Sequence, residues 1–188
     1  NMALIVKFMK NYLFAPADYP KIPLREDLAD DTFLFHQGPT KGLGKIRFHD
    51  YRATYDQFEL PNVDVFKKQI KGLKKLLVVA KPDEAQARDL DYLLALGELF
   101  TLVVYGHLVL EKALMEDTDD DLVNQMFGLF VRDFSSYATE LFGKPSNSGR
   151  QQKLTQKLIR APVADQEQFD KVWTEHVFAL KCQYRMND

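Results

Sequence analysis

Residues 92–110 form the stretch that most restricts what this chain can become. Across those nineteen positions Glu98 is the one carboxylate, His107 the one imidazole, and no Lys or Arg occurs. Asp83 and Gln86 form a capping-box pair ahead of the run, and the pattern continues to about Glu116. At about 1.5 Å per residue such a helix spans roughly 50 Å. A membrane span needs about 20 apolar residues, so the run comes near that length. Glu98, His107, Gly97 and Gly106 argue against one, because a charge at mid-bilayer costs about 2.5–3.5 kcal/mol. The predicted element is a central helix covered by protein on most sides, with no membrane span.

The flanking sequence supplies partners for it. Val63, Phe66, Ile70, Leu73, Leu77 and Ala80 recur at three and four residues, one helix face, with Asn62 as the predicted N-cap. Lys67, Lys68, Lys71, Lys74 and Lys75 take the opposite face. They read as a solvated face rather than a nucleic-acid patch. The chain carries 25 basic and 27 acidic side chains, a formal net charge of −2, whereas phosphate binding needs an electropositive surface. Nucleic acid is therefore excluded as main partner. Asp119, Asp120 and Asp121 sit where carboxylates cap a helix. The ligand alternation and closing Glu of a calcium loop are absent. Leu122, Met126, Leu129, Phe130, Phe134, Tyr137 and Leu141 are the predicted buried stripe of that helix, ended by Gly143 and Pro145. A short helix over 151–160 follows. Asp165 and Gln168 form another capping-box pair, and Phe169, Trp173, His176, Val177, Leu180 and Tyr184 share the last face.

Four long helices with short connections predict an all-α fold, an antiparallel up-and-down four-helix bundle over residues 62–188. Residues 1–14 read as a short helix, either native to the bundle or the end of a preceding helical domain. Residues 15–61 are an irregular connector. Pro16, Pro20 and Pro23 stop the first helix, and residues 32–36 and 45–49 have the composition of a small β-hairpin. So long a connector is unusual within one domain and reads as a segment crossing a neighbouring surface. Cys182 is the single cysteine, so no disulfide forms within the chain. That fits a cytoplasmic compartment.

Few residues carry chemistry. Gly44 and Lys45 suggest a phosphate loop, but the pattern needs Gly at 39 and Ser or Thr at 46, where Pro39 and Ile46 stand. The glycines permit tight backbone instead. Lys41, Lys45 and Arg47 remain candidate contacts to a phosphate or an acidic surface. No two of His36, His49, His107 and His176 have metal-ligand spacing on one helix, so no metal is predicted. Glu98, His107 and His176 lie in or beside apolar stripes and form a candidate buried polar site, the imidazoles as hydrogen-bonded core groups. No nucleophile–base pair is visible, and no catalytic residue is assigned.

One resemblance is specific. Phe33-Leu34-Phe35, Gln37-Gly38-Pro39, Gly42-Leu43-Gly44, Phe48-His49-Asp50-Tyr51-Arg52 and the apolar run over 93–106 together resemble the C-terminal domain of large bacterial acyl-CoA dehydrogenases, a flavoprotein family of fatty acid metabolism. The likeness runs from about residue 30 to the end. It implies a parent oxidoreductase that passes a hydride from an acyl-CoA to FAD. The flavin and the catalytic carboxylate belong to a preceding core. This chain is then an accessory helical domain that packs on the core of the same polypeptide or on a second subunit of a homo-oligomer, with no cofactor or activity of its own. A free-standing bundle binding a small apolar ligand is the alternative.

Overall fold

The computed structural model describes residues 2–17 and 46–183. The hairpin segment over 32–36, the candidate contacts Lys41 and Lys45, His36 and Tyr184 lie outside the described residues, as do the resemblance motifs before residue 46. Among the described residues every regular element is helical, the all-α bundle that the sequence predicts. Residues 46–50 are irregular, with no strand.

Helix α1 (Met2–Phe14) precedes the short α2 (Tyr51–Tyr55), and α3 (Pro61–Val79), α4 (Leu90–Glu116) and α5 (Asp120–Phe142) are the long elements. Each start has a local cause. Pro61 opens α3 at a position whose N–H would go unpaired anyway, so Leu60 rather than Asn62 is the N-cap residue. Asn62 does other work, described below. The Asp83–Gln86 box does form, with Gln86 N–H to Asp83 Oδ1 at 2.9 Å and Asp83 N–H to Gln86 Oε1 at 3.1 Å. It closes only a turn. Asp89 then caps α4, its carboxylate accepting from the amides of Asp91 and Tyr92. Asp117 ends α4 in the left-handed region at φ 51°, which Asp tolerates better than most residues. Two residues on, Asp119 caps α5 as expected, accepting from Asp121 N–H at 2.8 Å and Leu122 N–H at 3.2 Å.

That tight turn makes α4 and α5 antiparallel, and the Lys144–Asp91 ion pair at 2.7 Å closes their far ends. Helix α3 runs parallel to α5. Asn62 and Gln69 meet Asn124 and Val131 respectively, a constant offset of 62 residues. On its other side α4 carries α1 and α2. The core is rich in rings: Phe66 packs on Tyr55, Phe127 and Phe134 at centroid distances of 6.2, 5.5 and 5.5 Å.

Buried amides pin the connections. Gln69 Nε2 donates toward the carbonyls of Val131 and Leu158 and the hydroxyl of Ser135. Asn62 bonds Asn124 and, through both side-chain atoms, Val163. Gln86 and Gln151 bond each other beneath α6 (Gly149–Gln156).

Two further sequence expectations need correction. The buried stripe of α5 is turned by about one residue: Val123, Phe127, Phe130, Val131, Phe134, Ala138 and Leu141 face inward, whereas Leu129 is exposed. Apolar residues cover more than half the circumference of this helix, so spacing alone did not define its inner face. The last long helix is also shorter than expected. Helix α7 (Gln166–Val172) gives way to a π turn at Trp173–Val177 and a 3₁₀ turn at Phe178–Leu180. Val172 is the buried apolar residue there, and Phe169, Trp173, Val177 and Leu180 are about half exposed. In its place α1 packs on α4 as the fourth wall. Asp165 caps α7, but the Gln168 side chain leaves the box to bond Asp121 and Asn124 on α5.

Candidate functional site

His107 comes from the middle of α4, on the side that receives α1 and α2. Its ring is buried. Nδ1 lies 2.7 Å from the Tyr12 hydroxyl and Nε2 lies 3.1 Å from Thr54 Oγ1, with Glu111 Oε1 at 3.4 Å on the same edge. The pattern that leaves no donor idle puts the ring proton on Nε2 and has Tyr12 O–H donating to Nδ1. Burial holds the imidazole below its usual pKa, partly offset by the Glu111 carboxylate. Tyr12 is raised, mainly by its own burial. Neither group ionises readily where it sits, so the pair is a neutral hydrogen-bonded unit near pH 7.

The backbone allows this assembly at Gly106. A Cβ there would stand 2.5 Å from the Tyr55 hydroxyl, which donates to the Val103 carbonyl at 3.0 Å. Glycine therefore lets α2 lie directly against α4 and brings Thr54 to His107.

Above this unit a groove of about 390 Å³ opens between α1 and α4. Phe8 and Tyr12 form one wall, Val104, Tyr105 and Leu108 the other, with Phe48 and Phe100 lining it. Tyr12 belongs to both features: its ring contacts Phe48 and Phe100 at 5.4 Å and stacks on Tyr51 at 5.3 Å, while its hydroxyl turns inward. Among the described residues the lining holds no charged side chain. Among the described residues the lining offers no cation to pair with the pyrophosphate of the flavin that the resemblance assigns to a parent enzyme.

A second depression is acidic. Asp119, Asp120 and Asp121 surround Lys171, which pairs with Asp121 and lies 3.5 Å from Asp119. Bonds from Lys171 and Gln168 hold Asp121 below the ordinary carboxylate value. Among the described residues no three His, Cys, Asp or Glu side chains are grouped to hold a metal.

The three residues of the predicted buried polar site do not meet. His107 is in the core. His176 is partly exposed near the acidic depression, with Nε2 4.0 Å from Asp119. Glu98 is half-buried near Glu140 and Lys144; burial and then Glu140 raise its pKa, and Lys144 lowers it. Arg47 is exposed on the connector. The partners that sequence reasoning missed are Tyr12, Thr54 and Glu111. Glu111 had a local signal, being four residues from His107 on one helix; the other two come from distant segments.

Helix α4 is long and apolar enough to cross a membrane, and half of its most apolar 18-residue window is buried against the rest of the chain. Comparison of the chain with protein-family models, with curated proteins and with solved structures finds no match.

Proposed function

We propose that this chain is an accessory helical domain that docks on a larger protein body through the outward face of α4. By the resemblance, that body is the FAD-dependent core of an acyl-CoA dehydrogenase, in the same polypeptide and in a homo-oligomeric enzyme. The observation that carries the reading is an exposed apolar band. Leu90, Leu94, Tyr105 and Leu108 are 65, 43, 57 and 55 % exposed, and Met115 continues the row beyond the exposed Lys112. At 3.6 residues per turn these five fall within an arc of about 80° on α4. An exposed, aligned apolar row of this length marks an interaction surface more often than a solvated one. Covering the exposed half of each such side chain contributes about 1 kcal/mol. The aromatic groove adjoins the band and shares Tyr105 and Leu108 with it.

The gene tests the reading. The account expects the reading frame to continue upstream of the Met2 codon into dehydrogenase sequence. An in-frame stop codon shortly before that position overturns it.

The groove supports a second reading, a bundle that binds a small apolar ligand. Its volume of about 390 Å³ falls within the usual range of small-molecule sites. An apolar molecule retained in native mass spectra, and lost on Leu108→Glu, favours this reading over docking.

A further inference from the structure

Among the described residues, the bond between Tyr12 and His107 is the one hydrogen bond joining α1 to α4. The rest of that contact is apolar: Met9 and Leu13 join the core, and Phe8 and Tyr12 lie against Phe48 and Phe100. Apolar contact responds little to pH. The one polar link responds strongly, because its acceptor is an imidazole nitrogen with a titratable lone pair.

We propose that His107 is a proton-operated latch that seats α1 on α4 while neutral and releases α1 when it gains a proton.

The chemistry follows from the partners. Neutral His107 accepts from Tyr12 at Nδ1 and donates from Nε2 toward Thr54. A proton added at Nδ1 turns the acceptor into a donor. The Tyr12 oxygen can receive the new N–H only if the hydroxyl swings away, and its own proton then points among the rings of Tyr51, Phe48 and Phe100. A buried donor without a partner is the costly arrangement. Detaching α1 returns both groups to water.

The ionisable groups around the imidazole divide into two sets. Glu111 on α4 and Asp50 just before α2 favour the charge; burial and His49 oppose it. Tyr12 from α1 and Tyr55 from α2 face it as neutral phenols, Tyr55 with its ring 6.4 Å away. The balance favours the neutral form while α1 is seated. The open form therefore binds the proton better, and acid shifts the equilibrium toward it. The ratio of open to seated α1 then rises by up to about tenfold for each pH unit below the ordinary imidazole value near 6.5. Release uncovers Met9, Tyr12, Leu13 and the α4 side of the groove together. The inference needs no assumption about what α4 docks on.

Hydrogen exchange read by mass spectrometry on the full chain tests it, with rates corrected for intrinsic pH dependence. The latch predicts that amides of α1 exchange faster than those of α5 at every pH. It also predicts that α1 opening grows up to about fivefold from pH 6.5 to 5.5. In Tyr12→Phe, which keeps the ring, α1 is already more open at pH 8 and its response to acid shrinks to less than about twofold; in His107→Gln the response vanishes. A flat α1 response, or one common rate for α1 and α5 at all pH values, overturns the latch. A wild-type response in Tyr12→Phe does so too, and that variant decides the matter should His107→Gln not fold.

Discussion

Gly106→Ala adds one methyl group where helix propensity alone favours it by about 0.8–1.0 kcal/mol. The surroundings reverse the sign. The new Cβ stands 2.5 Å from the Tyr55 hydroxyl, 3.2 Å from Phe66 and 3.4 Å from Phe127. Ordinary contact begins near 3.4 Å, so the hydroxyl must retreat by about 0.9 Å. Tyr55 has little room, since its ring is buried between Phe66, Phe127 and His107. Overpacking of this kind costs about 1–3 kcal/mol, and the displaced Tyr55–Val103 bond adds about 1. After the propensity gain the net loss is about 2 kcal/mol. Urea unfolding followed by circular dichroism reads this as a midpoint lowered by about 1 M, for a slope near 2 kcal/mol/M. The mechanism is tested by repeating the substitution in Tyr55→Phe, which removes the obstructing oxygen. There the cost of Gly106→Ala falls below about 0.5 kcal/mol. A stabilised Gly106→Ala, or an equal cost in both backgrounds, refutes the close-approach account.

Three further outcomes follow from the polar core. Gln69→Leu keeps the volume but deprives the Leu158 carbonyl of its donor; it lowers stability by about 1 kcal/mol in the same assay, softened because Gln69 Oε1 has no partner to lose. Asn62→Ala combined with Ser135→Ala frees Val163 from α3 and Arg160 from α5, so trypsin cuts after the exposed Arg160 at least about tenfold faster than in wild type, a factor worth about 1.4 kcal/mol of local opening. The third concerns pH. His107 has a lowered folded-state pKa, so the folded chain binds fewer protons there than the unfolded one. Its stability contribution is whole above about pH 6.5 and is lost as pH falls toward the folded value. Glu111→Gln removes the carboxylate that favours the charged ring, so melting temperature drops more steeply below pH 6.5 than in wild type, and a parallel drop contradicts this.

Much of the helical frame could be read from the sequence because its signals are local. The length of the apolar run foretold α4, and Asp119 foretold the start of α5. Failures came where local and distant demands compete. Asn62 has the chemistry of an N-cap, yet Pro61 already starts α3 and the Asn62 amide is spent on Asn124 and Val163. Leu129 keeps helical spacing with Leu122 and Met126, but its exposure follows from where α3 lies. The apolar side of the last helical segment looked like core and is half exposed. The site was the least legible part. His107 needed a partner, but its partners Tyr12 and Thr54 lie 95 and 53 positions away, and only the packing of α1 and α2 on α4 brings them together.

The proposed docking face is tested most directly by mixing the purified chain with a bacterial acyl-CoA dehydrogenase core trimmed of its own C-terminal domain and measuring complex formation by analytical ultracentrifugation. Leu94→Glu, Tyr105→Glu and Leu108→Glu serve as a combined variant whose fold is checked by circular dichroism. The account predicts a complex with the wild-type chain and at least about a hundredfold weaker binding for the variant, about 2.7 kcal/mol. Equal binding by the two chains, or none by the wild type, contradicts it.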